Sequence, residues 1–399
     1  MGALGILAFA LAIAASIALH EAGHMFTARA FGMRVRRYFI GFGPTVWSTT
    51  KGHTEYGLAA LPFGGFCDIA GMTAMDPLTP EEEPHAMVNK PAWQRIAVLA
   101  GGIAMNLLIG VVIIYFVAIF SGIPNPDADF SPRVGKTVCV ADQVDAETLG
   151  ECSGAGPAGE AGVQVGDTLV ALNGQEIEQF GQLRDAVAKQ PGETVTLEVL
   201  RGGESVTLDV PVAAVERIDP TTGEKVTQGA VGIVSAPVTK QYGPAEAVPA
   251  TLHFSGQMLR ATVDGIASFP AKIPGVVASI FGAERDIEGP VSVIGASRTG
   301  GELVEQDMWS AFWMMLASLN FFLALFNLVP LPPLDGGHIA VVLYEKIRDA
   351  LRRLRGLGPG APANYEKLMP LTYAMAALLL GVGVLVMAAD VVNPVRIFG

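Results

Sequence analysis

The sequence contains few charged residues and very few cysteines. Only 16% of its 399 residues are Asp, Glu, Lys or Arg, whereas 51% are hydrophobic. An ordinary soluble enzyme carries about 25% charged residues, so this composition argues against that class. The three cysteines form no CxxC pair, which argues against a cysteine-rich metal framework. Phosphate-cradling loops, serine-nucleophile motifs and internal repeats are also missing from the sequence.

Basic residues are missing from the start of the chain. No Lys or Arg precedes Arg29, and a cleavable signal peptide would begin with positive charge. We therefore interpret the first apolar run as a retained membrane helix. Long uncharged runs recur later in the chain and predict about four transmembrane helices, at residues 1–33, 96–120, 308–340 and 371–392.

The first predicted span contains the pattern HExxH, as His20-Glu21-Ala22-Gly23-His24. On a helix, residues at i and i+4 share a face, so His20 and His24 can bind one zinc ion while Glu21 polarises a water molecule. The plainer alternative is two helix histidines that neighbouring polar groups satisfy. Ionisable residues inside a span are costly and usually functional, which favours a hydrolytic metal site in the membrane.

Charge predicts the orientation of the chain. Basic residues follow the first span and cluster again at 341–370, and such short loops are expected in the cytoplasm. The segment Ser121–Ser310 has 12 basic and 26 acidic residues. Its net charge is therefore more negative than that of the whole chain, which is −12, and we assign the segment to the outer side. An acidic external segment gives no reason to expect nucleic-acid binding.

A third metal ligand is expected from the sequence NLVPLPPLDGGH, which ends at His338. Asp335 is the strongest candidate, because the positive loops place it near the same membrane face as the HExxH histidines. His338 is an alternative ligand, although we favour a supporting role for it. The prolines of this sequence cannot sustain a regular helix, and irregular backbone at membrane depth must pack in protein or line a wet cavity.

Three further segments have other patterns. Residues 34–95 begin with alternating apolar and polar residues separated by glycines, which predicts a membrane-associated β-hairpin followed by a cytoplasmic linker. Residues 134–238 predict a small β-rich domain. Residues 239–307 are mildly amphipathic and interrupted by prolines, which indicates short helices on the outer membrane face.

Taken together, the motifs resemble the site-2 protease family of intramembrane zinc metalloproteases, in its bacterial form with one PDZ domain. The resemblance rests on HEAGH, on NLVPLPPLDGG and on a PDZ-like segment that includes Gly154–Asp167. It implies one Zn²⁺ per chain, bound by His20, His24 and Asp335, with Glu21 as general base. It also implies that Asn327 contacts the substrate backbone.

The implied fold is a polytopic α-helical membrane protein with about four transmembrane helices, a membrane-associated β-hairpin region and an inserted extracytoplasmic PDZ domain. The implied function is cleavage of a transmembrane segment in a pre-trimmed, single-span membrane protein, an anti-sigma factor being the expected substrate. The implied location is the bacterial cytoplasmic membrane, with the active site toward the cytoplasm. The alternative is a non-catalytic PDZ-bearing scaffold with a structural zinc site, which would have no use for Glu21.

Several alternatives stay open at this point. Asn106 either serves the site or only packs between helices. Cys139 and Cys152 form a disulfide only in an oxidising compartment. The hairpin region either holds an extended substrate by edge pairing or covers the membrane boundary. The PDZ-like domain either binds a peptide or acts as a size filter, and we favour the filter.

Overall fold

The protein is described here from a computed structural model, and its backbone divides into two compact units. The membrane unit comprises residues up to Ser121 and resumes at Gln241, whereas the inserted unit is Gly122–Lys240. The side chains of residues 62 and 63 are not described. The residues described are 2–73, 75–124, 132–144, 150, 152–218, 225–235, 239–283, 285–286, 289–358, 360–361 and 363–395.

The membrane unit is mainly helical, with one small sheet. Two short 3-10 helices, Glu83–His85 and Met87–Asn89, follow that sheet. The other elements are α1 (Gly2–Ala30), β1 (Val35–Lys51), β2 (Thr54–Ile69), α2 (Ala92–Phe120), α5 (Pro244–Ile280), α6 (Val293–Glu305), α7 (Trp309–Leu328), α8 (Asp335–Leu354) and α9 (Tyr365–Val392).

Within the described residues, four helices are long and apolar enough to cross a bilayer. They are α1, α2, α7 and α9, with 29, 29, 20 and 28 residues, and a span needs about 20 residues. Together with the hairpin sheet and the β-rich insertion, they confirm the predicted fold class of a polytopic helical membrane protein. Their bounds differ by a few residues from the predicted spans, except at the third.

The predicted third span, 308–340, is two elements in the structure. Helix α7 ends at Leu328, and α8 starts at Asp335 after an irregular loop. Pro330, Pro332 and Pro333 explain the break, because each lacks the backbone donor that a helix needs. Most of the predicted basic loop, 341–370, is also helical, since its apolar residues recur at helical spacing between the charges.

The predicted linker 239–307 also differs from the structure. Its prolines suggested short helices, but α5 is one continuous helix of 37 residues that contains Pro249, Pro270 and Pro274. Each proline removes one backbone donor. Packing of α5 against α2, α7 and α9 offsets that cost and keeps the helix intact, which local sequence preference alone did not predict.

Bends at glycines turn the two strands of the hairpin into a sheet of four segments. Gly41 and Gly43 in β1 have φ of 90° and 89°, and Gly64 in β2 has 97°, all in the left-handed region that favours glycine. Beyond these bends the chain returns on itself, so Tyr38 pairs with both Cys67 and Tyr56. Among the described residues, those at 65–69, at the end of β2, pair with strand residues on one side only and form an edge of the sheet.

The inserted unit is a small β-rich domain. Its four-stranded sheet has the order β6-β5-β7-β8 and covers a core that includes Leu169, Leu197 and Val199. A disulfide joins Cys139 to Cys152. Its elements are β3 (Ile123–Pro124), β4 (Val134–Thr137), α3 (Gly156–Glu160), β5 (Thr168–Leu172), β6 (Gln175–Glu176), α4 (Phe180–Ala188), β7 (Thr194–Arg201), β8 (Glu204–Pro211), β9 (Ala213–Ile218), β10 (Lys225–Ala230), β11 (Ile233–Ser235) and β12 (Thr239–Lys240).

An ion pair between a buried carboxylate and a half-buried arginine ties the PDZ-like sequence motif to this sheet. The carboxylate of Asp167 is 1% exposed and accepts two hydrogen bonds from Arg201, at 2.8 and 2.7 Å. The backbone N–H of Gln164 donates a third, at 2.9 Å. Arg201 is the main reason that the pKa of Asp167 lies below its ordinary value.

Asp167→Asn should destabilise the inserted unit by about 2 kcal/mol at pH 7, because it removes the charge of a buried carboxylate that accepts charge-assisted hydrogen bonds. The lowered pKa of Asp167 means that this contribution is complete above about pH 4, the unfolded value, and fades as the pH falls through the folded value. Hydrogen exchange of β5 and β7 in the full-length protein measures the difference.

Asp185→Asn is the matched control for this prediction. Asp185 pairs with Arg184 on the surface, where the two side chains are 66% and 78% exposed, so its loss should cost at most about 0.5 kcal/mol. Equal effects of the two variants, or an Asp167→Asn effect that grows below pH 4, would contradict a stabilising role for the pair of Asp167 and Arg201.

Candidate metal centre

Three buried or half-buried side chains converge at one point in the membrane unit. Nε2 of His20 and Nε2 of His24 are 3.2 Å apart. Oδ2 of Asp335 lies 3.3 Å from the first nitrogen and 3.4 Å from the second. Helix α1 supplies both histidines one turn apart, and the first residue of α8 supplies the carboxylate. The structure thus brings together the three predicted ligands, from opposite ends of the sequence.

The size of this triangle matches a zinc site. Zinc bonds to nitrogen and oxygen are about 2.0–2.1 Å long, so neighbouring ligand atoms of a tetrahedral ion are about 3.3–3.4 Å apart. Each of the three residues offers one ligand atom, and these atoms lie within 4.8 Å of one another. His20, His24 and Asp335 therefore fit a Zn²⁺ ion, with one tetrahedral position left for water or substrate.

Hydrogen bonding also indicates that a cation belongs at this point. Nδ1 of His24 is 2.8 Å from the carbonyl oxygen of Val98, and a carbonyl only accepts, so the proton of a neutral His24 is on Nδ1. Its Nε2 then directs a lone pair toward the carboxylate of Asp335, whose Oδ2 makes no hydrogen bond among the described residues. Electron-rich atoms this close repel one another unless a positive charge lies between them.

Glu21 lies beside the triangle without belonging to it. It follows His20 on α1, and its side chain faces the edge segment of the hairpin sheet. Gly65 is so close to Glu21 that a β-carbon there would lie 3.2 Å from Cγ of the glutamate. The edge segment of the hairpin sheet thus holds the carboxylate in place.

A cavity of about 390 Å³ connects these groups. Two asparagines contribute to its wall together with the metal triangle and Glu21. The side chain of Asn327, at the end of α7, makes no hydrogen bond among the described residues. Asn106, in α2, is 1% exposed, and neither its Nδ2 nor its Oδ1 has a partner there. An unpaired buried amide is costly, so a ligand in the cavity that pairs with Asn106 would recover that free energy.

Close packing of α1 and α2 brings α2 into contact with the imidazoles of His20 and His24. A β-carbon on Gly23 would lie 2.3 Å from the carbonyl oxygen of Gly101, so these glycines are what allows α1 and α2 to touch. A β-carbon on Gly102 would lie 2.4 Å from Nε2 of His24 and 2.7 Å from Nε2 of His20. No role for these glycines was predicted from the sequence, although small residues often mark such helix contacts.

A second helix contact fixes α7 against α1. Nδ2 of Asn320 donates to Oγ of Ser16 at 3.0 Å, and both residues are buried. Ser16 lies one turn before His20, and Asn320 lies two turns before Asn327, so this hydrogen bond sets the position of both helices at the cavity. Sequence reasoning missed it, since only the fold reveals which polar residues of two spans meet.

His338 is not part of the metal triangle. Its ring stacks on Tyr365, with ring centroids 6.2 Å apart. That contact agrees with a supporting role.

Comparison with known proteins gives a consistent result over the whole chain. The profile of peptidase family M50 matches residues 8–357. Zinc metalloprotease Rip1 of Mycolicibacterium smegmatis is 49% identical, and the alignment covers 100% of both chains. Zinc metalloprotease Rip1 of Mycobacterium tuberculosis H37Rv is 45% identical and covers 99% of this chain and 98% of its own.

Among solved structures, the PDZ domain of an SdrC-like protein from Listeria monocytogenes is 17% identical. It covers 25% of this chain and 87% of its own, with a TM-score of 0.16. A score this low carries no argument about the fold. The PDZ assignment of the inserted unit therefore continues to rest on its sequence motif.

Gly102→Ala should reduce the zinc content of the purified protein at least tenfold, because the added methyl group would collide with both imidazoles. Gly381→Ala is the matched control, since no described residue lies within 4 Å of a β-carbon at that position in α9. Elemental analysis of both variants measures the result. Full zinc binding by Gly102→Ala would show that the ion is bound elsewhere.

Proposed function

The chain belongs to peptidase family M50, the site-2 protease family of zinc metalloproteases, and on this basis we propose its substrate and the roles of its residues. It is an intramembrane zinc metalloprotease with Zn²⁺ as its cofactor, so the alternative of a non-catalytic scaffold is no longer needed. Its substrate is a single-span membrane protein that another protease has already cut on the outer side. The substrate class expected from the family resemblance is an anti-sigma factor, whose cytoplasmic fragment is released.

His20, His24 and Asp335 bind the zinc ion. The observation that carries this assignment is the triangle of donor atoms with sides of 3.2, 3.3 and 3.4 Å. When bound, Zn²⁺ supplies a Lewis acid that makes its water more acidic and polarises the scissile carbonyl.

Glu21 is the general base. It is adjacent to His20 on the helix and lines the same cavity, so its carboxylate can take a proton from the attacking water and later pass it to the leaving amine. The close approach of Gly65 in the edge segment holds the side chain in place for both transfers. A purely structural zinc site would not require such a base.

The substrate is bound as an extended strand. The edge segment 65–69 has pairing capacity on its outer side, and Gly65, Phe66 and Cys67 line the cavity, so a substrate strand can add to the sheet there. The amides of Asn327 and Asn106 face the same cavity and can hydrogen-bond to peptide groups of the substrate. An extended backbone exposes its carbonyls to attack, whereas a helix shields them.

The chain lies in the bacterial cytoplasmic membrane, with the metal centre toward the cytoplasm and the inserted unit outside. The cluster of basic residues in and after α8 supports this orientation. The disulfide between Cys139 and Cys152 supports an oxidising location for the inserted unit. There it acts as a size filter that excludes substrates with intact outer domains.

Glu21→Gln should retain zinc and lower cleavage by about a thousandfold, because it keeps the shape of the side chain but removes the base. The assay uses the purified protein in detergent and a tagged transmembrane reporter without an outer domain. Glu366→Gln, at an exposed position in the first turn of α9, is the control and should cleave like the wild type. Normal cleavage by Glu21→Gln would exclude Glu21 as the base.

Asn327→Ala should lower kcat/KM for the same reporter by about ten- to a hundredfold while zinc content stays unchanged, because one hydrogen bond to the substrate is lost. Asn89→Ala, at an exposed position after the hairpin sheet, should have no effect. If Asn327→Ala loses zinc, or cleaves at the wild-type rate, Asn327 does not bind the substrate.

A further inference from the structure

Helix α8 has an apolar face that no described protein element covers. Viewed along the axis, five apolar side chains fall within an arc of about 100°. They are Leu343 (45% exposed), Tyr344 (57%), Ile347 (60%), Leu351 (54%) and Leu354 (84%). Seven of the 20 residues of α8 are charged, so this helix cannot be a span.

The position of α8 explains what can cover this face. The helix starts at Asp335, only a short loop after α7 ends at Leu328. Glu345 bonds to Arg95, in the first turn of α2, at 2.9 Å, and to the backbone N–H of Ala363, just before α9, at 2.7 Å. Helix α8 therefore runs from the metal centre at Asp335 to the level where α2 and α9 begin, so its second half, from Leu343, reaches the level of the membrane surface.

A tryptophan marks the same level. Trp93, in the first turn of α2, is 61% exposed, and its ring packs edge to face on Phe31, with centroids 5.1 Å apart, just after the end of α1. Exposed tryptophans at helix ends are typical of the membrane interface. The end of α1 and the starts of α2 and α9 therefore mark the surface that the second half of α8 reaches.

The charges of α8 favour a negatively charged surface as the cover. Its acidic groups are engaged within the protein, since Glu345 pairs with Arg95 and Asp349 with Arg348 at 2.9 Å. Lys346, Arg353 and Arg355 are exposed and make no ion pair among the described residues. On the helical projection, Lys346 and Arg353 flank one side of the apolar face and Arg355 flanks the other.

We propose that the second half of α8, from Leu343, lies in the membrane interface with its apolar face among the acyl chains, and that Lys346, Arg353 and Arg355 bind the headgroups of anionic phospholipids. An apolar stripe between basic residues is the pattern of interfacial helices that prefer anionic lipid. Because Asp335 is the first residue of α8, lipid binding along the helix holds that carboxylate against His20 and His24. The lipid composition thereby sets the activity of the protease. This regulation rests on the cleavage proposed above and goes beyond it.

The location of α8 is tested without any catalysis, in the Glu21→Gln protein. A nitroxide label is attached at Leu351→Cys, on the apolar face, or at Arg352→Cys, about 100° further around the helix. Both labelled proteins also carry Cys67→Ser, which removes the free cysteine. In vesicles the label at position 351 should be reached by oxygen dissolved in lipid, and the label at 352 by a water-soluble nickel complex. Equal exposure of both labels to the nickel complex would overturn the proposal.

The charge requirement is tested by activity. The wild type should cleave its reporter about threefold faster or more in vesicles of phosphatidylcholine with about 30% phosphatidylglycerol than in phosphatidylcholine alone. The variant Lys346→Gln/Arg353→Gln/Arg355→Gln should lose this difference and retain its zinc. The control Lys136→Gln/Arg184→Gln/Lys189→Gln removes three exposed cations of the inserted unit and should keep the difference.

Added phosphate distinguishes a lipid surface from a site for free anions. Inorganic phosphate added to phosphatidylcholine vesicles should not stimulate cleavage. If it stimulates cleavage as much as phosphatidylglycerol does, the basic residues form a site for free anions and the proposed lipid binding is wrong. The same lipid response in both triple variants would overturn the role of the three basic residues. If the wild type cleaves nothing in any vesicle, the proposed function fails, whereas the label positions still decide where α8 lies.

Discussion

The central constraint on the structure is that three electron-rich atoms, which repel one another, must be held close together. Two imidazole nitrogens and a carboxylate oxygen lie 3.2 to 3.4 Å apart in a site that is largely removed from water. Without a positive charge between them, this arrangement would be strongly unfavourable. The surroundings hold it nonetheless, through the carbonyl of Val98 on one imidazole, the glycine contact of α1 with α2, and the start of α8 at Asp335.

A second constraint is that hydrolysis needs water where the bilayer would exclude it. Irregular backbone is tolerated at membrane depth when it lines a cavity, and here the loop before α8 and the glycine bends of the hairpin border one. The glycines at 41, 43 and 64 let two strands form a four-segment sheet whose edge reaches Glu21. The elements that interrupt regular structure are therefore the ones that build the site.

Local sequence patterns predicted the parts that depend on local spacing. The i, i+4 spacing of the histidines predicted that they share one helix face. The long uncharged runs predicted the spans α1, α2, α7 and α9. Asp335 was predicted as a ligand from topology, because the basic loops placed it near the same membrane face as the two histidines. The roles of Gly102, Val98 and Asn320 were out of reach, since they arise only where two distant helices touch. Helix α8 was taken for a loop because its charges obscured the helical spacing of Leu343, Ile347 and Leu351.

The most direct test of the metal centre is X-ray absorption at the zinc edge of the purified protein. We expect two imidazole nitrogens and oxygen ligands at about 2.0–2.1 Å, and the loss of this pattern in Asp335→Ala. Cys67 also lines the cavity, so a different site would reveal itself by a sulfur ligand at about 2.3 Å. A sulfur shell, or only one imidazole, would contradict the assignment of His20, His24 and Asp335 as the zinc ligands.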